Sequence, residues 1–279
     1  MTGLALGTLL ACAAHDARSA LPPHQVFPSS EEALRAVLAE KPRVLGIGEV
    51  HASEGDPPGP TTLARFTSRL LPVLAPATTD LVIETWHLDG TCGAPAEAAV
   101  AQVQEDTRRP DETKSELTRL VEAAQKQGVR PHDLDIDCAE YATFTEPGGR
   151  VSYDALLKLL AEKLGDYARR GVESPDATVV LYGGAVHNDR RPSAAVAAYS
   201  YGAAAAARGG YVELDLYAPE LVRGNDLLVE PSWAPLLDVT GPGRAILYLR
   251  EPGSWVLLME EDGKTPRARP LGSPASRPE

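Results

Sequence analysis

Three stretches of this 279-residue chain run from apolar residues into side chains that can carry out acid–base chemistry. VLGIGEVH ends with Glu49 and His51, LVIETW contains Glu84, and VVLYGGAVHND reaches His187 through a second Gly-x-x-His. Histidines and carboxylates are common ligands of divalent metals, and a metal-bound water attacks carbonyl groups near neutral pH. Without a metal, a histidine held by a carboxylate can act as general base towards water. The four side chains therefore predict a hydrolytic site, in which they act as metal ligands or as acid and base.

A further candidate ligand lies in the stretch VRPHDLDID. Asp135 and Asp137 alternate along a predicted strand, so both point to one face of it. We take Asp135 as an additional metal ligand, although a salt bridge to an arginine is the commoner fate of such a carboxylate. His87, which follows LVIETW, is expected to be a surface residue rather than a catalytic one.

Several common enzyme signatures are absent from the sequence. It has no GxSxG elbow of the serine hydrolases, no HExxH zinc motif and no Walker loop. GIGEVH begins like a dinucleotide-binding loop, but His51 stands where the third glycine belongs. A cofactor site of the Rossmann type is therefore a poor choice for this chain.

The residues that could take part in catalysis follow predicted strands. These strands alternate regularly with predicted helices. Apolar runs predict buried strands, while helical spacing, with Gly128 as a stop signal after one helix, predicts the helices. Strands are expected at 43–49, 79–86, 129–137, 176–187 and 211–219, helices at 29–41, 61–75, 95–104, 112–128, 152–171 and 190–210, and a terminal hairpin at 244–260. The helical segment at 190–210 is expected to break near Gly202.

This alternation predicts an α/β fold, with a mostly parallel β-sheet flanked by helices and a C-terminal antiparallel hairpin at its edge. In such sheets, ligands bind in the crevice beyond the carboxyl ends of the strands. The first four predicted strands each end in acidic or imidazole side chains. We therefore expect these side chains to meet around one pocket.

The termini predict export and membrane anchoring. LALGTLLAC resembles the apolar part of a signal segment, and Leu9-Leu10-Ala11-Cys12 resembles a bacterial lipobox whose cysteine is lipidated, although no basic residue precedes Arg18. An ordinary frayed apolar terminus is the alternative. The expected organisation is a signal and lipobox segment at 1–20, a tether at 21–30, one α/β domain at 31–261 and a disordered tail at 262–279.

The net charge limits the possible binding partners, and the cysteines bear on the redox compartment. The formal net charge of −12 argues against nucleic acid, which requires a basic surface. With Cys12 lipidated, Cys92 and Cys138 remain. They would either form a disulfide in an oxidising compartment or stay as two buried thiols.

Taken together, LGIGEVH, LVIETW and LYGGAVHND resemble a superfamily that joins the erythromycin esterases, the ChaN-type haem-binding lipoproteins and the Tiki/TraB proteins. Its pattern has one strand ending in Gly-Glu-x-His or Gly-x-x-His, a second ending in glutamate and a later one ending in histidine. The matching positions here are Glu49, His51, Glu84 and His187, with Asp135 or else Asp137 for the acid of the esterase branch.

The resemblance implies an α/β fold with its site at the strand ends, but several activities. Esterase relatives hydrolyse a lactone with the first histidine, and Tiki relatives resemble metal-dependent proteases that use both histidines. ChaN relatives bind haem and are exported lipoproteins, and the lipobox-like start makes that branch the most similar. The arginine expected near the esterase site has only Arg190 and Arg191 as candidates, by position.

Our leading hypothesis is a cell-envelope lipoprotein hydrolase, lipid-anchored through Cys12 and dependent on a divalent metal. It would act on an ester or amide of a small molecule or peptide. The alternative is a haem- or iron-binding uptake lipoprotein of the ChaN type, without catalysis.

Overall fold

The computed structural model describes residues 21–88, 92, 95–146, 149–174, 178–223, 225 and 228–263. Their eight strands form one mixed sheet, in which most neighbouring strands are parallel, and helices cover both faces. The predicted α/β class is confirmed. Cys12 and the tail beyond residue 263 lie outside the described residues.

The strands follow the order β1-β7-β8-β6-β2-β5-β3-β4 across the sheet. β7 is antiparallel to β8 and to β1, so the predicted C-terminal hairpin is present and lies at the edge, with only the short β1 outside it. The other neighbouring strands are parallel. Along the chain the strands are β1 (Gln25–Phe27), β2 (Val44–Glu49), β3 (Thr78–Leu88), β4 (Arg130–Ile136), β5 (Thr178–Gly184), β6 (Tyr211–Tyr217), β7 (Ala245–Glu251) and β8 (Ser254–Leu258).

The helices alternate with the strands, as expected. A π-helical turn (Phe66–Leu70) joins α2 to α3, and short 3-10 turns lie at Ala75–Ala77, Ala197–Tyr199 and Ala234–Val239. The helices are α1 (Ser30–Leu38), α2 (Thr62–Arg65), α3 (Leu71–Leu74), α4 (Pro95–Thr107), α5 (Glu112–Lys126), α6 (Cys138–Phe144), α7 (Tyr153–Glu173), α8 (Ala185–Asn188), α9 (Gly202–Ala207) and α10 (Pro219–Val222).

Apolar side chains pack on both faces of the sheet, which explains the continuous apolar runs of β2 and β5. One face, which includes Leu45 and Ile47 of β2, packs against α1, the helical segment from α2 to α3, and α5. The other face, which includes Val44 and Leu181, packs against α6, α7 and α9. Burial on both sides holds the central strands in a rigid layer.

The strand order β2-β5-β3 places three of the chemically equipped strand ends side by side. Glu49 pairs in register with Gly184 across β2 and β5, and β3 pairs with β5 up to the residue before Glu84. All three strands are parallel, so their carboxyl ends open to the same crevice. We expected the ends of the first, second and fourth predicted strands to meet. The pairing of β5 between β2 and β3 brings these ends together.

Two predictions for connecting segments are wrong. The tether expected at 21–30 contains β1, which pairs with β7 and caps the edge of the sheet. The helix expected at 190–210 is reduced to a 3-10 turn and the six-residue α9. The hydroxyl of Ser200 donates to the backbone carbonyls of His187 and Asp189, so the chain folds back onto α8 instead of continuing as a helix.

The segment after β4 also differs from expectation. Asp137 was expected to lie on the strand beside Asp135, but it is the N-cap of α6 and forms a capping box with Glu140. A carboxylate in that position accepts hydrogen bonds from the free backbone N–H groups of the first helical turn. Its side chain is therefore engaged with the helix and does not point to a ligand. Cys138, the next residue, forms a disulfide with Cys92.

Candidate active site

The carboxyl end of β2 supplies a carboxylate–imidazole pair. Glu49 is buried, whereas the side chain of His51 is 30% exposed. Nδ1 of His51 lies 2.9 Å from Oε1 of Glu49. Because an ionised carboxylate only accepts hydrogen bonds, His51 donates through Nδ1–H, which leaves Nε2 of the neutral imidazole unprotonated. In this tautomer, His51 can take a proton from water through Nε2.

A tyrosine on the neighbouring strand β5 holds the second oxygen of Glu49. The hydroxyl of Tyr182 donates to Oε2 of Glu49 over 2.5 Å, and its ring stacks on Phe66 with the centroids 4.3 Å apart. Burial, and next the charge of Glu49, raise the pKa of Tyr182 well above its usual value. The phenol therefore stays protonated, and Glu49 is anchored to the sheet while it orients His51.

Glu84 lies where β3 departs from its regular pairing. Its register against β4 shifts around this position, and its pairing with β5 ends one residue earlier. The backbone N–H of Gly184 is thus available to donate to Oε2 of Glu84 over 2.6 Å. Only glycine fits at position 183, because a Cβ on Gly183 would lie 2.2 Å from the same oxygen.

His187 forms a buried ion pair with Glu84. It lies in α8, the single turn after β5, and its Nε2 is 3.3 Å from Oε1 of Glu84. Its Nδ1–H donates to the backbone carbonyl of Tyr199 over 2.5 Å, which fixes the orientation of the ring.

The charges of this pair stabilise each other. Burial by itself raises the pKa of Glu84, but the charge and hydrogen bond of His187, together with the charge of His51 and the Gly184 N–H, bring it down to about 2. Burial by itself lowers the pKa of His187, but Glu84 outweighs burial and raises it. Glu84 is therefore ionised at neutral pH.

The two histidines and Glu84 meet above the backbone of Gly184. A Cβ on Gly184 would lie 3.1 Å from Nε2 of His51, 3.6 Å from Oε2 of Glu84 and 3.7 Å from Cδ2 of His187. The three side chains therefore border one small space, although His51 and His187 are far apart in the sequence.

A small cavity lies against Glu49, His51 and Glu84 and is closed on other sides by α2 and α5. Its volume of about 20 Å³ is enough for about one water molecule. Two larger openings share its walls. A cleft of about 760 Å³ shares Glu49 and His51, and an apolar pocket of about 260 Å³ between α4, α5 and α7 shares Glu84 and Arg109.

Arg109 is a residue of the site that the sequence did not indicate. It lies in the loop between α4 and α5, lines the small cavity, and its charge lowers the pKa of His187. Arg190 and Arg191, the candidates by position, are engaged elsewhere. Arg190 donates to the backbone carbonyl of Tyr211, and Arg191 forms an ion pair with Glu251. No motif surrounds Arg109, so only the path of its loop brings it to the site.

Asp135 does not join the predicted site. It is 72% exposed and lies 2.6 Å from Nε2 of His87, while Asp133 lies 2.9 Å from Nδ1 of the same ring. The strand that carries it, β4, is the outermost strand beyond β3, so its end is one strand removed from β5. Asp135 is thus a partner of an exposed histidine on the edge of the sheet, and His87 is a surface residue, as expected.

The donor atoms of the site were tested for a fit to a divalent metal. Both oxygens of Glu49 and both oxygens of Glu84 already accept hydrogen bonds, and Nε2 of His187 is turned towards Glu84. In the described part of the chain, three ligand atoms lie within 4.8 Å of one another only at the exposed group His87, Asp133 and Asp135. Nε2 of His51 is the one ligand atom at the site that is free to bind, so this arrangement fits a general base better than a metal cage.

Comparison with known proteins adds little to this geometry. No family model matches the chain, and no curated protein matches it. One solved structure, described as the structure of the type III effector HopBA1, is similar with a TM-score of 0.44 and 12% identity. The similarity covers 88% of this chain and 100% of that one. Among the residues that the structure describes, no helix is long and apolar enough to cross a membrane.

Proposed function

We propose that this protein is a hydrolase that cleaves an ester or amide with a water molecule activated by His51. The observation that supports this most is the position of Nε2 of His51. In the neutral imidazole it is unprotonated because Nδ1 donates to the buried Glu49, and His51 lines a cavity the size of one water molecule. A carboxylate-oriented histidine beside a bound water is the arrangement of a general base.

The reaction follows from these positions. Nε2 of His51 takes a proton from the water, whose oxygen forms a bond to the carbonyl carbon of the substrate while the electron pair of the C=O bond moves to the carbonyl oxygen. The guanidinium of Arg109, which lines the same cavity, stabilises that oxyanion. When the C=O bond re-forms, the bond to the leaving group breaks, and the leaving group takes the proton from the imidazolium of His51. The products are a carboxylic acid and an alcohol or amine.

Glu84 contributes a fixed negative charge. The charge of His51 is one of the causes that lower the pKa of Glu84, so the two side chains interact across the site. His187 holds Glu84 in place from the other side. The pair therefore supports the step in which His51 carries the proton.

A metal-dependent form of the same reaction would use Nε2 of His51, Glu84 and Nε2 of His187 as ligands. It would require His187 to release its proton and Glu84 to exchange its present hydrogen bonds for the metal. A bound divalent ion would polarise the carbonyl or the water. Metal analysis of the purified protein, followed by assays after dialysis against a chelator, distinguishes the two forms.

The alternative, haem binding without catalysis, is less well supported by the charges around the site. More carboxylates than arginines line the large cleft beside His51. These carboxylates would repel the propionates of haem. Titration with haemin tests it. A saturating change of the Soret band that is lost in the His51→Ala variant would favour haem binding over hydrolysis.

We also propose that the protein is exported and anchored to the cell envelope through a lipidated Cys12. The disulfide between Cys92 and Cys138 supports an oxidising location. Metabolic labelling with an alkyne fatty acid should label the wild type and fail to label Cys12→Ser. Labelling that persists in this variant would contradict the anchor.

The hydrolase is tested with chromogenic esters and anilides. We expect the His51→Ala variant to lose activity by about 10²–10⁴-fold, the usual contribution of a general base. His87→Ala is the matched control, since it makes the same substitution at an exposed histidine outside the site.

Thermal unfolding of both variants shows whether either substitution acts through stability. If folded His51→Ala protein hydrolyses the substrates as fast as the wild type, His51 is not the base. Equal losses in both variants would likewise remove the assignment.

A further inference from the structure

The cleft beside His51 is the largest of the described openings and shares Glu49, His51 and Gly184 with the candidate active site. Its volume of about 760 Å³ is that of a site for a drug-sized ligand. It extends from the carboxyl ends of β2 and β5 to residues of β6, β7 and β8 and of the segment 228–231. A substrate whose scissile bond lies at His51 therefore has space to extend into this cleft.

The charge of the cleft is strongly negative. Its arginines, Arg191 and Arg250, are both engaged in ion pairs, Arg191 with Glu251 at 2.7 Å. Carboxylates outnumber them by four in the lining, which includes Glu49, Asp189, Glu213, Asp215, Glu230 and Glu251. Even without the buried Glu213 and Asp215, four carboxylates remain in the lining against two arginines.

Three of the six acidic side chains surround Arg250. Its guanidinium lies 2.6 Å from Glu213, 2.9 Å from Asp215 and 2.5 Å from Glu230, so one positive charge serves three carboxylates. Glu213 and Asp215 are buried, and their remaining oxygens accept only from the neutral backbone N–H of Arg190 and the amide of Asn188.

The pKa values of the two buried acids, Glu213 and Asp215, are raised. Burial, and next the charge of Asp215, raise the pKa of Glu213 to about 8. Burial raises the pKa of Asp215 as well, even though Arg250 opposes it. Glu213 is therefore mostly protonated at neutral pH, and a further cation that enters the cleft would favour its ionised form.

The second opening from the small cavity has the opposite character. It is lined mainly by apolar side chains, among them Trp86, Val103, Leu156 and Leu160. Its largely apolar walls favour an uncharged group, although Glu84, Arg109 and Lys114 also border it. The two openings therefore discriminate between the two ends of a substrate.

We propose that the substrate carries a cationic group, an amine, quaternary ammonium or guanidinium, which binds in the acidic cleft while its scissile carbonyl lies at His51. This assignment rests on the proposed hydrolase function and adds a substrate class to it. Glu230 faces the opening and is the most exposed of the three carboxylates around Arg250. It is therefore the residue through which the preference for a cation can be changed with the least effect on folding.

Two esters of the same shape test the proposal with the full chain. The butanoate esters of choline and of 3,3-dimethylbutanol differ only in that a quaternary nitrogen replaces a neutral carbon. We expect kcat/KM for the choline ester to exceed that for the neutral ester by about tenfold or more at low salt, and the ratio to fall as salt is added, because screening weakens the attraction. Glu230→Gln should lower the ratio several-fold.

Glu122→Gln is the matched control, because it removes the same charge from an exposed site on α5 outside the cleft. Its ratio should equal that of the wild type. A ratio of one or less in the wild type, or an unchanged ratio in Glu230→Gln, would overturn the proposal. Preferential binding of Mg²⁺ at the cleft with no preference between the two esters would overturn it as well.

Equilibrium binding separates this proposal from the function on which it rests. If neither ester is hydrolysed, calorimetric titration with hexyltrimethylammonium and with 3,3-dimethylbutanol measures the cleft alone. Binding of the cation that weakens with salt and in Glu230→Gln would retain the cationic site and contradict the hydrolase. Absence of any preference for the cation would contradict the cationic site, whatever the enzyme does.

Discussion

Substituting alanine for Gly184 tests the site without removing any of its functional groups. The backbone of Gly184 has φ −69° and ψ 141°, which alanine adopts freely. Its new methyl group would enter the space shared by His51, Glu84 and His187, 3.1 Å from Nε2 of His51. A water that donates a hydrogen bond to Nε2 would lie about 2.9 Å from it, close to the position of this methyl group. The methyl group therefore competes directly with the attacking water.

The expected effects on stability and activity differ in size. Replacing glycine by alanine at a compatible backbone stabilises a protein by about 0.4–1 kcal/mol. The tight contact with His51 opposes this, but that side chain is partly exposed and can shift by a few tenths of an ångström. We expect the free energy of unfolding in urea to stay within about 1 kcal/mol of the wild type, while kcat/KM for a chromogenic ester falls by about 10²-fold.

Gly165→Ala is the control for this substitution. Gly165 lies inside α7, and a Cβ there would meet Tyr201 at an ordinary contact distance of 3.5 Å. This variant should gain about 1 kcal/mol of stability, since alanine is the better helix former, and should keep full activity. A folded Gly184→Ala protein with wild-type kcat/KM would refute the placement of the attacking water at Nε2 of His51.

Other predictions concern pH, charge and the disulfide. Glu84→Gln should lower the free energy of unfolding by about 3 kcal/mol above pH 4.5, since the folded pKa of Glu84 is about 2, and in urea titrations the difference should shrink as pH falls from 4.5 towards 2. Arg109→Ala should lower kcat and raise the pKa of His187 in an NMR titration, because the charge of Arg109 now lowers it. A variant with an unchanged His187 pKa would place Arg109 outside the site. Cys138→Ser should lower the free energy of unfolding by about 4 kcal/mol, because the disulfide joins residues 46 positions apart and shortens the unfolded chain. Reduction of the wild type should cause an equal loss if the bond to Cys92 is responsible.

The regular elements were predictable because their signals are local. The apolar runs at Val44–Glu49 and Thr178–Gly184 are strands in the structure, and the spacing and glycine stop of residues 112–128 correspond to α5. Prediction failed where side chains or distant strands decided the backbone. The pairing of Gln25–Phe27 with β7 is one case, and the hydrogen bonds of Ser200 that shorten the helix expected at 190–210 are another.

The positions of the predicted site residues have a similar explanation. Glu49 and Glu84 lie on β2 and β3, and His187 directly follows β5, so their convergence required only the pairing of β5 between β2 and β3. Asp135 lies on β4, one place further out, at the edge of the sheet. Arg109 reaches the site through an irregular loop, which no periodicity in the sequence describes.

The sequence by itself determined which segments are buried strands and which functional groups stand at their ends, because both follow from the order of apolar, glycine and ionisable residues along a few neighbouring positions. Only the tertiary structure decided which of those ends share a space, which carboxylates are left with too little positive charge, and which arginine completes the site. These depend on strand order and loop paths, and therefore on contacts between residues far apart in the chain.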